Sequence, residues 1–160
     1  MKAIDWAKLG ACLGASLLVA VVGGLATAAG DLKSWYAELE KPPFNPPDWV
    51  FGPAWTILYT LMAVAAFLVW RRGLSMRHVR PAMGLYLAQL LLNATWTPVF
   101  FGLHQTGWAL AVIALLWGAI AATIVAFRRV SRLAAGLMLP YIGWVSFAAV
   151  LNAWIWAANR

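Results

Sequence analysis

Long uncharged stretches, separated by short clusters of charge, run through the whole sequence. One of them, 81–127, is too long for a single membrane crossing and contains the polar break His104-Gln105-Thr106-Gly107. A bilayer core about 30 Å thick takes roughly 20 apolar residues as a helix. Divided at the break, the pattern predicts five membrane-spanning helices at 9–29, 49–70, 81–103, 106–127 and 133–157.

In lipid a helix satisfies its backbone hydrogen bonds within one segment, whereas an open sheet would leave the backbone groups of its edge strands unpaired. The predicted fold is therefore all-α: a polytopic five-transmembrane-helix bundle that forms one domain over 1–160. Composition agrees, since 64% of residues are hydrophobic and 11% are charged, against about 25% charged in a typical soluble domain. The first apolar run could also be a signal peptide with Ala26-Thr27-Ala28 as its cleavage site, but its length favours an uncleaved span.

The net charge of +7 comes from basic residues in short clusters between the apolar runs, which argues against nucleic-acid binding. Because Lys and Arg are enriched in cytoplasmic loops, their distribution predicts a cytoplasmic N-terminus and an external C-terminus in a bacterial cell membrane. Nine basic residues lie on the predicted cytoplasmic side: Lys2, Lys8, Arg71, Arg72, Arg77, Arg80, Arg128, Arg129 and Arg132. The other side has Lys33, Lys41 and Arg160.

The connection over 30–48 is the longest between predicted spans, and it contains the proline-rich run 41–47. Four prolines restrict the backbone and reduce its unfolded entropy. Long connections in compact domains are often functional, so we expect an ordered lid rather than a plain connector. Asn45 is the expected cap of the second spanning helix, with Pro46 at its first position and Asp48 in its first turn.

Four tryptophans lie away from the predicted ends of spans: Trp55, Trp96, Trp117 and Trp144. At about 1.5 Å of rise per residue, Trp55 and Trp96 come to lie in the outer leaflet with the amides Asn93 and Asn152, while Trp144 would form a floor near mid-membrane. Helical spacing puts Gln89, Asn93, Trp96 and Phe100 on one face. Two interpretations stay open: an aromatic ligand pocket with polar anchors, or interhelical packing.

Residues that carry enzymatic chemistry are not visible in the sequence. The predicted spans contain no Asp, Glu, Lys or Arg, which argues against an ion pump. The histidines, His78 and His104, fall in loops on opposite sides, so no metal site is expected. Cys12, the single cysteine, cannot form an internal disulfide and is expected to be a small buried hydrophobe. Lys33 and Lys41 are expected to be solvated loop charges, although either could pair with a ligand carboxylate.

Four segments together resemble one known family, the translocator proteins (TspO/MBR, also called tryptophan-rich sensory proteins or peripheral benzodiazepine receptors). The segments are WYAELEKPPFNPPDWVFGPAWTILY (35–59), GLYLAQLLLNATWTPVFFG (84–102), QTGWAL (105–110) and LPYIGWVSFAAVLN (139–152). The resemblance covers essentially the whole chain, and the combination is far more specific than any one segment.

The resemblance implies a five-helix bundle that binds porphyrins, such as protoporphyrin IX and haem, and related apolar ligands, with no required cofactor. It implies a role in tetrapyrrole sensing, transport or stress regulation, and commonly a homodimer, for which the small residues Gly84 and Ala88 are candidate contacts. The implied pocket lies under the first loop, and its residues are Tyr36, Trp55, Asn93, Trp96, Phe100, Trp108, Trp144, Ala148 and Leu151.

Two alternatives to a receptor or carrier stay open. The resemblance implies that the protein could degrade porphyrins with light and oxygen, with Trp55 and Trp144 as the reactive residues. The small-residue stripes are also compatible with a regulatory interaction protein without a small ligand. Sterol binding is less expected, because Ala153 stands where the family's cholesterol motif has a tyrosine.

Overall fold

The computed structural model describes the backbone of residues 3–28 and 32–160, and of these all side chains except 26–28 and 32–34. Lys2, the Gly30 end of the predicted lid and the side chain of Lys33 lie outside the described part of the chain.

Helices make up the described structure, in which no strand occurs, so the predicted all-α class is confirmed. A five-residue π-helical turn, Pro98–Gly102, continues the fourth helix. The α-helices are α1 (Ala3–Ala28), α2 (Leu32–Glu38), α3 (Asp48–Trp70), α4 (Val79–Thr97), α5 (Thr106–Arg128), α6 (Arg132–Leu137) and α7 (Leu139–Ala158).

Four stretches of the described helices are long and apolar enough to cross a membrane, so the predicted count of five spans is wrong by one on this criterion. The four stretches are 3–25, 48–70, 106–128 and the combined α6 and α7, 132–158. The predicted span 81–103 is present as helix α4, but it does not meet the criterion. It contains Arg80, Gln89 and Asn93, and its α-helical part ends at Thr97. Its amides are buried against protein, where polarity is tolerated in a membrane.

The two ends of the bundle are built differently. At the arginine end, which carries Arg71 and Arg128, α3 packs closely against α1 and α6. Small side chains allow this approach, since Ala63, Ala65 and Ala66 are fully buried. Cys12 is 4% exposed here, in the place of a small hydrophobe.

At the opposite end, which we call the lid end, residues 32–47 lie over the bundle as the lid. Its helix α2 is followed by a turn in which the Asn45 amide donates to the Pro42 carbonyl (2.9 Å). The expected Asn45 cap is wrong: α3 begins at Asp48 after Pro47 with no side-chain cap. Asn45 instead accepts a hydrogen bond from the Tyr36 hydroxyl (3.1 Å). The lid is thus closed on itself by its own polar groups.

Prolines change the direction of two helices near the lid end and the middle of the bundle. Pro98 begins the π-helical turn, in which the Leu103 amide donates back to the Pro98 carbonyl (2.9 Å). Pro140 lies in the first turn of α7, just after the break at Met138 that separates it from α6. Proline lacks an amide donor and interrupts the regular ladder. The last predicted span is therefore two helical segments rather than one.

Candidate ligand-binding site

Two indoles from different helices meet in the lid half of the bundle. Trp55 on α3 and Trp144 on α7 contact edge to face, with ring centroids 6.4 Å apart. Trp55 also stacks on Tyr59 (5.3 Å) and contacts Tyr141 (6.4 Å), while Trp144 contacts Phe51 (5.9 Å). We call these five residues the tryptophan cluster. Because Phe51 is in the first turn of α3, Trp144 is a wall beside Trp55, not the expected floor beneath it.

An amide on α4 ties this cluster together. Asn93 is 5% exposed, and its Oδ1 accepts from the Tyr59 hydroxyl at 2.7 Å. Its Nδ2 donates to the Tyr141 hydroxyl at the same distance. A buried amide in the membrane needs such partners, because an unpaired polar group there costs several kcal/mol. Asn93 therefore fixes the spacing of α3, α4 and α7.

A second group of rings lies directly beneath the lid. Trp96 stacks on Phe100 with centroids 5.0 Å apart, and Phe100 contacts Phe101 at 4.8 Å. From the lid, Trp35 and Tyr36 both contact Phe100, at 5.9 and 6.4 Å. We call these five residues the lid cluster. Phe100 is 2% exposed, covered by the lid on one side and by Leu151 and Ile155 of α7 in the same apolar core.

A polar link joins the lid cluster to α5 and α7. The Trp96 Nε1–H donates to Oδ1 of Asn152 (3.3 Å), and Nδ2 of Asn152 donates to the Thr106 carbonyl (2.9 Å). Leu151, 7% exposed, packs in the same apolar core as Phe100. Ala148 is half-buried against the main core that also receives Trp55 and Trp144. The two clusters are thus neighbours along one face of α7.

Two contacts hold the lid on the bundle from outside the clusters. The Trp35 ring stacks on His104 with centroids 4.2 Å apart, and His104 has a positive φ of 55°. That backbone conformation is uncommon for a side chain other than glycine, and it orients the imidazole toward the lid. At the other edge, Asn159 accepts from the Glu40 amide (2.9 Å) and donates to the Glu40 carbonyl (3.1 Å). We call this pair the Asn159 tether.

The lid's own polar side chains point inward to its backbone and rings. Lys41 Nζ donates to the carbonyls of Ala37 (3.1 Å) and Leu39 (3.2 Å) and lies 4.8 Å from the Tyr36 ring centroid. Burial, and secondarily the charge of Asp48, raise the pKa of the Tyr36 phenol above its ordinary value. Tyr36 is therefore protonated at neutral pH and continues to donate to Asn45.

One buried amide in the described structure has no hydrogen-bond partner. Gln89 is fully buried on α4, one turn from Asn93 on the side of the arginine end, and both its Oε1 and its Nε2 are unpaired. Leaving such a group unpaired costs about 1–3 kcal/mol. Gln89 is therefore a buried group, one helical turn from the Asn93 network, with which a water molecule or a ligand could pair.

A groove of about 460 Å³ opens on the outer surface of the bundle, between α3 and α7 at the lid end. This volume is within the range of small-molecule sites. Its walls include Ala54, Ile57 and Leu58 of α3 and Gly143, Trp144 and Phe147 of α7. Trp144 belongs to both the groove and the tryptophan cluster.

The structure brings together eight of the nine pocket residues that the family resemblance implies. The ninth, Trp108, is 71% exposed and lies in neither cluster. The candidate dimer residues Gly84 and Ala88 are both exposed, on a face of α4 turned away from Gln89 and Asn93. The eight residues are Tyr36, Trp55, Asn93, Trp96, Phe100, Trp144, Ala148 and Leu151.

Sequence reasoning missed three residues that hold the site together. Tyr141 was detectable, because it precedes Asn152 by three helical turns on the same face of α7. Asn159 follows Asn152 by seven residues and carried the same signal. His104 gave none, since its stacking on Trp35 depends on the turn between the π-helical segment and α5.

Comparison with known proteins decides the family. The model of the TspO/MBR family matches residues 12–157 of the chain. The chain belongs to the TspO/MBR family. The human translocator protein is 47% identical over 133 residues, 82% of this chain and 78% of its own length. The tryptophan-rich protein TspO of Chlorobaculum tepidum is 41% identical over 152 residues, 94% of this chain and 95% of its own.

A third TspO/MBR relative is the tryptophan-rich sensory protein of Cereibacter sphaeroides, 40% identical over 151 residues, 93% of this chain and 89% of its own length. Membership of the family, together with several apolar helices of membrane-spanning length, makes this an integral membrane protein.

Proposed function

We propose that the protein is a membrane receptor or carrier that binds flat aromatic ligands of the porphyrin type, such as protoporphyrin IX or haem, at the two aromatic clusters. The observation that carries this proposal is the contact of Trp55 with Trp144 beside the buried Asn93 network. Relatives named translocator and sensory proteins are compatible with a binding role rather than a hydrolytic one.

Ring chemistry supports this class of ligand. In the lid half, rings contact rings, as Trp96 does with Phe100 and Trp55 with Tyr59. Aromatic pairs of this kind contribute about 0.5–1.5 kcal/mol beyond area burial. A flat ligand that inserts between the side chains replaces one aromatic contact by another, so the ring-contact contribution is kept in the complex. An aliphatic ligand would not make these ring–ring contacts and would lose their contribution to the binding free energy.

Polar groups at two levels suit the edges of such a ligand. Gln89, one helical turn from Asn93, has an unpaired donor and an unpaired acceptor. At the lid end, Lys41 lies against Tyr36, and the Arg160 guanidinium lies 3.8 Å from the Trp156 ring centroid. Lys41 uses two of its three N–H donors on lid carbonyls, so its third donor and the Arg160 guanidinium are the groups that would pair with carboxylates projecting from an apolar ring system toward water.

The test is a titration of the detergent-purified protein with protoporphyrin IX, followed by the porphyrin's own absorbance. We expect saturable binding, and we expect Trp55→Ala combined with Trp144→Ala to weaken it about tenfold, the equivalent of about 1.4 kcal/mol. The matched control combines Trp6→Ala with Trp49→Ala, since both indoles are largely exposed, at 61% and 73%. Saturable binding that is unchanged in the first double variant would refute the site.

The same proposal includes a homodimer through the exposed face of α4. Gly84 presents open space to a neighbour, since an added Cβ there meets no atom within 4 Å. Small residues let membrane helices approach closely. Gly84→Leu is expected to shift the protein toward the monomer in size-exclusion chromatography with light scattering, whereas Gly118→Leu on α5 is not. An unchanged mass for both variants would contradict this interface.

A second candidate function has its own observation. Because Trp55 and Trp144 are in contact, a porphyrin held there would have two oxidisable indoles beside it. Light- and oxygen-dependent porphyrin breakdown is therefore the alternative. Illumination of the complex should then give a new tetrapyrrole product that Trp55→Phe with Trp144→Phe abolishes. Turnover equal to that of free porphyrin in detergent would eliminate this alternative.

A further inference from the structure

Helix α3 packs against different segments at the two ends of the bundle. At the arginine end α3 packs closely against α6, but α3 meets α7 at few positions. The helix is interrupted at Met138, between α6 and α7, and Pro140 is the second residue of α7. The separation leaves the groove between α3 and α7 at the lid end, with Pro46 of the lid at its edge.

This groove faces the bilayer rather than water. Ile57 in its wall is 59% exposed, on a helix of 23 residues that is apolar enough to span the membrane. Its lining contains no charged side chain. An exposed apolar surface at this depth is in contact with lipid chains, so solutes dissolved in the bilayer reach the groove without passing through water.

Two rings, Trp144 and Phe147, lie where the groove meets the proposed site. Trp144 lines the groove and also contacts Trp55 within the tryptophan cluster. Beside it, Phe147 lines the groove and contacts Trp144 (5.8 Å) and the lid residue Phe44 (6.4 Å). Both rings are half-buried, and a change of their rotamers would join the groove to the cluster.

The route from water is closed by contrast. The lid is held by the stacking of Trp35 on His104 and by the Asn159 tether, and Phe100 beneath it is 2% exposed. An apolar ligand that entered here would have to separate these contacts first. Entry from the lipid side requires only that the side chains of Trp144 and Phe147 move.

We propose that the groove between α3 and α7 is a lateral entrance, through which an apolar aromatic ligand passes from the outer part of the bilayer to the tryptophan cluster, with Trp144 as its gate. The inference rests on the proposed function and adds the route and the source of the ligand. It also separates two roles: the groove determines how fast the ligand binds, and the clusters determine how tightly.

The first arm of the test fills the groove. Gly143 is exposed in its wall, and an added Cβ meets no atom within 4 Å, so the side chain of Gly143→Leu starts in open space. Gly118→Leu on α5 is the matched control, because Gly118 is equally open. Protein in nanodiscs is mixed with vesicles loaded with protoporphyrin IX, and binding is followed by stopped-flow fluorescence. We expect Gly143→Leu to slow association about tenfold, with a dissociation constant within twofold and the control unchanged.

The second arm fixes the lid. Glu40→Cys and Asn159→Cys, in a Cys12→Ala background, are joined by a bifunctional thiol reagent. With a lateral entrance, the association rate is the same before and after joining. If joining the lid slows association and Gly143→Leu does not, the ligand enters from water and the entrance is refuted.

Two further outcomes are distinguishable. If Gly143→Leu weakens the equilibrium affinity without slowing association, the groove is part of the binding site and not an entrance. If the unmodified protein shows no saturable binding, the proposed function fails and the entrance fails with it. Normal binding with unaltered rates in Gly143→Leu overturns the entrance alone.

Discussion

The arginine half and the lid half of the bundle are packed by different means. In the arginine half, Ala63, Ala65 and Ala66 let α3 approach its neighbours, and every residue of Met62–Phe67 except the half-buried Val64 is buried. In the lid half, large rings and amide hydrogen bonds fill the space, and α3 and α7 separate into a groove. Small side chains give a tight interface with one arrangement, whereas rings that contact rings can rearrange around a guest. The arginine half therefore keeps one arrangement, whereas the lid half can rearrange, as the proposed function requires.

Loss of the amide in the lid half is the largest expected effect on stability. Asn93→Leu leaves the hydroxyls of Tyr59 and Tyr141 without their partner, at about 1–3 kcal/mol for each unpaired group. We expect a lower midpoint of thermal unfolding in detergent and weaker porphyrin binding. Leu91 lies on the same helix and is 70% exposed, so Leu91→Ala is the control and should change neither the unfolding midpoint nor porphyrin binding. A stable Asn93→Leu variant would mean that the lid half does not depend on this network.

Added volume should affect the two halves differently. Ala65→Leu overpacks a fully buried position in the arginine half and should cost about 2 kcal/mol of unfolding free energy. The same side chain introduced by Gly143→Leu, where an added Cβ meets open space, should cost almost nothing. Thermal unfolding of both variants measures the contrast. Equal destabilisation would show that the groove is as tightly packed as the alanine-rich core.

The buried unpaired amide provides a test at the boundary of the two halves. Gln89→Leu removes two buried polar atoms that have no partner, so the unliganded protein should be stabilised by about 1 kcal/mol. Porphyrin affinity should fall in the same variant if Gln89 pairs with the ligand. A destabilised unliganded variant would indicate that Gln89 is already paired by a buried water molecule.

The smallest expected effect concerns the lid alone. Asn159→Ala removes the two hydrogen bonds to Glu40, and because both are exposed to water they contribute only about 0.5 kcal/mol together. Hydrogen exchange of the amides in 32–47 should become faster, while those of α3 stay as they are. Unchanged exchange in the lid would show that the stacking of Trp35 on His104 holds it without help.

Periodicity predicted most of the architecture, because apolar runs and helix faces are local properties of the chain. It placed Gln89, Asn93, Trp96 and Phe100 on one buried or half-buried face of α4. It did not predict the break at Met138, the π-helical turn at Pro98 or the pairing of Asn45 with Tyr36, since each depends on contacts between elements. The position of Trp144 beside Trp55 likewise depends on how α7 packs against α3, which counting residues along one helix does not give.

The Asn159 tether also sets an order of events during biosynthesis. It joins Glu40 to a residue 119 positions later, in the last turn of the last helix. A ribosome that makes the chain from its N-terminus has inserted α1 and α3 long before Asn159 exists. The covering segment therefore cannot be fastened until α7 has been made, and the nascent protein passes through a stage in which the rings beneath the lid are still uncovered.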